Sequence, residues 1–223
     1  MDGRRAAAAG LAVSTAFGVL LTTAVLAGPA PLVRVDLGVW DSTGSWAGAL
    51  VWPVQIAQQI ALRTGVVFSA CVAALFCVFL LLRHRWAAAL FLGLSAVAGG
   101  FTGLVMKDLV TRHRPPGAGR FDADLTDSYP SGHTMVGIYL YLAAGLIVLR
   151  IGQANDRNWI VRLGWALISF GPFLGLTRIV AGAHWATDVI GGWAFGSMVV
   201  CACALLLWRP LGTCWTHPRR SAD

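Results

Sequence analysis

Six apolar stretches dominate this chain, at residues 6–28, 65–82, 87–106, 134–149, 163–176 and 189–208. A segment that crosses a bilayer needs about 20 consecutive apolar residues, and in hydrocarbon it must satisfy its own backbone hydrogen bonds, which a helix does. The expected architecture is therefore all-α: a polytopic bundle of six transmembrane helices forming one domain over residues 1–223. The fourth and fifth stretches are short, and each can be lengthened into a polar motif at one end and into residues 150–162 at the other. Charged residues make up 12% of the chain and mean hydropathy is +0.69, whereas soluble domains carry about 25% charge. The net charge of +7 does not point to nucleic acid, because the arginines sit in short clusters between apolar stretches rather than along one basic face. No internal repeat, low-complexity tract or separate soluble domain is visible.

The arginines also set an orientation. With both termini cytoplasmic, ten basic residues fall on inner segments, among them Arg4, Arg83, Arg150 and Arg209, and seven fall on outer ones. Five of the outer seven (Lys107, Arg112, Arg114, Arg120 and Arg178) belong to polar motifs or the loop beside them. Without those five the positive-inside bias is strong. Tryptophans follow the same frame: Trp40, Trp46, Trp52 and Trp185 near outer boundaries, Trp86, Trp159 and Trp208 near inner ones, where indole is favoured. The first stretch has a second reading, a cleaved signal peptide beginning Arg4-Arg5 and ending Val25-Leu26-Ala27, although its apolar run is long for one. Residues 50–63 place Gln55, Gln58, Gln59 and Arg63 at helical spacing. They read equally as a helix lying at the outer interface or as an early start to the second span. Cys71, Cys77, Cys201 and Cys203 lie in apolar runs and, with Cys214, read as small hydrophobes rather than metal or redox groups. Gly99-x3-Gly103 and Gly192-x3-Gly196 permit close helix approach, within or between chains.

Three polar clusters interrupt this apolar frame. The first, Lys107-Asp-Leu-Val-Thr-Arg-His-Arg114-Pro115, contains the only lysine of the chain. The second is Pro130-Ser131-Gly132-His133, and the third runs from Arg178 through His184 to Asp188. In the six-span frame all three fall at outer ends of spans and can converge. Lys107, Arg114 and Arg178 would supply positive charge to phosphoryl oxygens, the guanidinium fork binding two oxygens at once. Ser131 is placed to cap the next helix, whose first amides, those of Ser131 and Gly132, would form an anion site. His133 follows, positioned to move a proton. His184 and Asp188, four apart, would share one helical face, the carboxylate fixing the imidazole tautomer and leaving the other ring nitrogen free to attack phosphorus. Each cluster alone has a structural reading, as a solvated interfacial charge, a helix cap or a structural hydrogen bond. Together they place polar groups on one side of a membrane, where such groups are expected to be functional.

Lys-x6-Arg-Pro, Pro-Ser-Gly-His and Arg-x5-His-x3-Asp, in this order over residues 107–188, resemble the type 2 phosphatidic acid phosphatase superfamily. That superfamily contains membrane lipid phosphate phosphatases, soluble acid phosphatases and vanadium haloperoxidases. One position departs from the pattern: Thr177 stands where serine usually precedes the third-motif arginine, and the hydroxyl is kept. The resemblance implies that His184 is a nucleophile forming a phosphohistidine, oriented by Asp188. It implies that His133 protonates the leaving group and then activates water. It further implies that Lys107, Arg114, Ser131, Gly132 and Arg178 bind the phosphoryl oxygens. No metal or cofactor is implied. Asp122, Asp124 and Asp127 read as a solvated acidic stretch rather than a divalent-ion site. The expected partner is a phosphorylated lipid in the outer leaflet of a bacterial-type membrane: a polyprenyl pyrophosphate, a phosphatidate or phosphatidylglycerol phosphate. Two other readings remain: a non-catalytic lipid-phosphate binder or transporter, and a vanadate-dependent haloperoxidase using the same pocket.

Overall fold

A computed structural model describes residues 3–49, 56, 66–116 and 127–213. The helices are α1 (Gly3–Ala27), α2 (Ala30–Ala49), α3 (Val66–Leu82), α4 (Trp86–Leu109), α5 (Gly132–Ala154), α6 (Asn158–Val180), α7 (Ala186–Leu206) and the short α8 (Trp208–Thr213). No strand occurs among the described residues. Five helices, α1, α4, α5, α6 and α7, are long and apolar enough to cross a membrane. The expected sixth, at residues 65–82, appears as the 17-residue α3. At 1.5 Å per residue its described part spans about 25 Å, against a hydrocarbon core of about 30 Å, so five spans stand among the described residues and the sixth is not confirmed. The suggested amphipathic helix at 50–63 lies outside the described residues apart from Ile56, as do Arg120, Asp122, Asp124 and Cys214.

Helix α2 was not expected. Residues 30–49 carry Arg34, Asp36 and Asp41 among glycines and hydroxyl residues, which hides any apolar run. The chain turns into it at Gly28, whose φ of 56° is a left-handed conformation natural to glycine. Pro31 sits in its first turn, where a missing N–H breaks no hydrogen bond. Buried in this polar helix is Asp36, 2% exposed.

The central helix is α5, and glycines let its neighbours close on it. A Cβ at Gly99 of α4 would meet the Tyr139 ring, and one at Gly192 or Gly196 of α7 would meet Thr134 or Ile138. The two Gly-x3-Gly pairs therefore serve packing within the chain. Gly137 of α5 and Gly171 of α6 stand back to back, so that a Cβ on either would lie within 2.6 Å of the other's carbonyl oxygen. The same stretch of α5, Gly137–Leu142, is wound as a π-helix, a local widening common near functional sites. On the far side, α1 packs along α7, with Gly18 against Phe195.

This topology gathers the three motifs. The C-terminal ends of α4 and α6 and the N-terminal ends of α5 and α7 lie at one end of the bundle. The turns carrying Arg83, Arg85, Asn155 and Arg157 lie at the other.

Candidate active site

Gly182, with φ of 64°, reverses the chain between α6 and α7, and the Ala183 amide donates to the Arg178 carbonyl at 3.0 Å. Trp185 is extended and caps α7. Asp188, three residues on, accepts the Trp185 amide on Oδ2 at 2.9 Å, placing a carboxylate at a helix N-terminus where the helix field favours it. His184 thus precedes α7 instead of sharing its first turn, as the spacing had suggested. The two side chains still meet, because Asp188 reaches back across the cap. His184 Nδ1 lies 3.4 Å from Asp188 Oδ2, a long approach of the kind that tightens when a substrate completes a site.

On its other edge, His184 Nε2 accepts from Arg114 Nη1 at 3.1 Å, and the same Nη1 donates to the Ala183 carbonyl at 3.2 Å. A guanidinium only donates. Nε2 is therefore the acceptor nitrogen, and the ring proton belongs on Nδ1, toward Asp188. Burial lowers the imidazole pKa most. Asp188 works the other way, and the charges of Arg114 and Arg178 lower it further, to about 4 from an ordinary 6.5. At neutral pH His184 is thus an uncharged ring with its Nε2 lone pair facing the cationic groups.

The depressed value has a consequence for stability. As pH falls from 6.5 towards 4, the unfolded chain gains a proton at His184 that the folded site refuses, so folding weakens across that window. Thermal unfolding in detergent should show a drop in Tm over this range. In His184→Asn, which cannot titrate, the slope should be visibly shallower; an unchanged slope would refute a neutral, buried His184.

The most densely bonded group at this end is Asp188, which is fully buried. Its Oδ1 accepts from Arg112 Nη1 at 2.6 Å, and its Oδ2 also accepts from the Ser128 hydroxyl. Arg112 then bridges to a second buried carboxylate: Nη2 meets Asp36 Oδ2 at 2.7 Å, while Nη1 also reaches Thr187 Oγ1 at 2.7 Å. Asp36 accepts the Thr187 amide at 3.0 Å and its hydroxyl at 2.6 Å, so α2 is tied to the N-terminus of α7. The Arg112 guanidinium lies 5.6 Å from the centre of the Trp185 ring, whose Nε1 donates to the His113 carbonyl at 2.8 Å. Sequence reasoning had grouped Arg112 with the loop and missed Asp36, Ser128 and Thr187. A signal existed for Asp36 alone, an acidic residue flanked by Val35 and Leu37.

The remaining motif residues surround this core. Arg178 is buried in the last turn of α6, a favourable place for a cation. Lys107, in the last turn of α4, donates to the Asp127 carbonyl, next to Ser128. Ser131 holds the N-cap position of α5, but its side chain makes no cap hydrogen bond: its hydroxyl accepts from Thr134 Oγ1 at 2.9 Å and its amide donates to the Asp188 carbonyl at 3.0 Å. That amide is thereby committed to joining α5 to α7, contrary to the expectation that it faces an anion. Gly132, with open space where a Cβ would stand, and the half-buried His133 form the first turn of α5. Tyr129, fully buried, shares a hydrogen bond of 2.9 Å with Thr22 of α1.

Comparison with known proteins fits this arrangement. The family model of the PAP2 superfamily matches residues 87–211, more than half the chain. The chain belongs to the PAP2 superfamily. Its fold is similar to that of a transmembrane PAP2-type phosphatidylglycerolphosphate phosphatase from Bacillus subtilis, with a TM-score of 0.72 at 18% identity over 89% of this chain and 96% of that one. Among curated relatives, a lipid A 1-phosphatase of Porphyromonas gingivalis is 38% identical over 80 residues, covering 36% of this chain and 16% of the relative. An undecaprenyl-diphosphatase of Sulfolobus acidocaldarius is 32% identical over 72 residues, covering 32% and 30%. An acid phosphatase of Zymomonas mobilis is 35% identical over 75 residues, covering 34% and 24%. The chain spans less than a third of the length of these relatives. The PAP2 match begins on α4, so every named group at the site lies inside it except Asp36 and Thr22, which α2 and α1 bring from outside.

Proposed function

We propose that this PAP2 protein hydrolyses a phosphomonoester or diphosphate of a membrane lipid through a phosphohistidine. The observation that carries this reading is the chain Arg114–His184–Asp188, which sets a neutral imidazole, acceptor nitrogen foremost, between a guanidinium and a carboxylate. In the first step Nε2 attacks phosphorus, the P–O bond to the lipid breaks, and His133 gives its proton to the departing oxygen. In the second, His133 takes a proton from water, the water oxygen attacks phosphorus, and the P–N bond breaks to release inorganic phosphate. Lys107, Arg114 and Arg178, the Ser131 hydroxyl and the Gly132 amide would hold the three phosphoryl oxygens as their charge shifts. Asp188 keeps the proton on Nδ1 and stabilises the ring as it becomes cationic. The arginine distribution supports cytoplasmic termini and an extracytoplasmic site.

The test is phosphate release by purified protein, in the presence of a chelator, from polyprenyl pyrophosphate, polyprenyl phosphate, phosphatidate and phosphatidylglycerol phosphate. Release is expected from at least one, undiminished by chelation, because the side chains carry the positive charge. Loss of activity on chelation would overturn the metal-free mechanism, and binding without release across the panel would leave a lipid-phosphate binder as the better reading.

A further inference from the structure

The carboxylate beside His184 has more donors than orienting a ring requires. Asp188 Oδ2 accepts from the Trp185 amide at 2.9 Å and from the Ser128 hydroxyl. His184 Nδ1 stands off at 3.4 Å and makes no shorter hydrogen bond among the described residues. The two oxygens of a carboxylate offer about four lone-pair sites, so three donors compete for one oxygen's share. The Trp185 amide comes with the cap that begins α7. Ser128 does not: it is fully buried and reaches Asp188 from the loop before α5, 60 residues away in sequence. That loop is fastened without the hydroxyl. The Ser128 amide donates to the Arg112 carbonyl at 2.8 Å, Lys107 donates to the Asp127 carbonyl, and the Ser131 amide donates to the Asp188 carbonyl. The Tyr129 ring, hydrogen-bonded to Thr22, meets Phe195 edge-on with ring centres 6.5 Å apart. A hydroxyl that its own loop does not need, aimed at a buried carboxylate, has its task on that carboxylate.

We propose that Ser128 is a positioning residue that acts through Asp188 to keep the ring proton on His184 Nδ1 while the ring carries phosphate. This rests on the phosphohistidine reading above. When Nε2 bonds to phosphorus the ring becomes cationic, and its Nδ1 proton is drawn towards Oδ2. If that proton crossed to Asp188, the ring would become a neutral N-phosphoimidazole. Breaking the P–N bond would then expel an imidazolate, a far poorer leaving group than imidazole. With the proton held on Nδ1, water attacks phosphorus, His133 takes the water proton, the P–N electron pair returns to Nε2, and neutral imidazole leaves. Each donor on a carboxylate favours its charged form and weakens its pull on a neighbouring proton. Arg112 does this from Oδ1 and also binds Asp36; the Trp185 amide does it from Oδ2 as part of the cap. The Ser128 side chain is hydrogen-bonded to Asp188. Removing its hydroxyl leaves Oδ2 a stronger base, which favours attack by Nε2 in the first step and hinders release of the ring in the second. The two half-reactions are affected with opposite signs, which a general loosening of the fold does not produce.

The test uses full-length wild type and Ser128→Ala in detergent with polyprenyl pyrophosphate, polyprenyl phosphate, phosphatidate and phosphatidylglycerol phosphate. Each lipid carries radioactive phosphorus in its terminal phosphoryl group, and samples are quenched in alkali during turnover and after a chase with unlabelled lipid. In Ser128→Ala the protein-bound label should decay roughly tenfold more slowly, the scale of one hydrogen bond to a charged group. The labelled fraction during turnover should rise, while kcat/KM, which reports the first step, should not fall. Decay is followed on labelled molecules alone, so partial unfolding of the variant does not disturb it. Ser128→Cys, with a weaker donor, should decay at an intermediate rate. Tyr129→Phe, which removes the bond to Thr22 and spares the Ser128 hydroxyl, should decay like the wild type. Wild-type decay in Ser128→Ala, or a loss confined to kcat/KM, overturns the proposal and leaves the phosphohistidine in place. Phosphate release by both proteins with label on neither overturns the phosphohistidine, and the proposal with it.

Discussion

With His184 as the proposed nucleophile, His184→Ala is expected to leave a folded protein that releases lipid phosphate at least roughly 10⁴-fold more slowly, the scale seen when a covalent nucleophile is removed. Three features of the site make the loss this large. The imidazole is held with its acceptor nitrogen towards Arg114, so attack needs no change of protonation. It is 3% exposed, so water does not readily take its place. Its partners are fixed independently of it: Asp188 is retained by Arg112, Ser128 and the Trp185 amide, and Arg114 by the Ala183 carbonyl. The variant should therefore bind substrate about as well as the wild type and lose turnover, with kcat falling and KM little changed. Labelled substrate, quenched in alkali to preserve a phosphoramidate, should mark the wild-type protein and leave His184→Ala unmarked. A marked variant, or one with full phosphate release, would move the nucleophile elsewhere.

The sequence and structure agree best where chemistry and hydropathy are local. Lys107, Arg114, His184 and Asp188 stood out because polar residues are rare in apolar chain, and the antiparallel helices bring them to one end as the spans required. The apolar runs behind α1, α4, α5, α6 and α7 were legible for the same reason. Other features were hidden in the tertiary arrangement. Helix α2 has no apolar stripe because its polar residue Asp36 faces inward, to a cation 76 residues away. The His184–Asp188 contact was foreseen, but the spacing suggested a shared helical turn, whereas a cap begins α7 at Ala186. The Ser131 amide looked available for an anion until α7 supplied the Asp188 carbonyl. The first and last of these depend on contacts between elements that no local pattern encodes, whereas the α7 cap is a local contact between Trp185 and Asp188.

Arg112 tests that tertiary layer, and Arg112→Gln is expected to be nearly as damaging to turnover as a motif substitution. Its guanidinium holds two carboxylates that are 2% and 0% exposed. Removing the cation leaves Asp36 and Asp188 facing one another across the site with less compensation, and breaking a buried pair in this way costs about 3–5 kcal/mol. That is a large fraction of a typical stability of about 5–15 kcal/mol, so Tm in detergent should fall sharply. Turnover should fall as well, because Asp188 must shift to find new donors and His184 loses its orienter. A structural role alone would lower Tm and leave the surviving folded enzyme normal. The positioning role predicts a lower kcat per folded molecule and a shifted pH profile. Arg112→Lys separates charge from geometry: it keeps the cation, but a single ammonium cannot span Asp36, Thr187 and Asp188 as the guanidinium fork does. Tm should largely recover in that variant while kcat recovers only in part. Asp36→Asn removes one carboxylate and leaves the Arg112–Asp188 contact in place, so it should be milder than Arg112→Gln in both respects. If Asp36→Asn proved the more damaging, the network would act by fastening α2 to α7 rather than by holding Asp188.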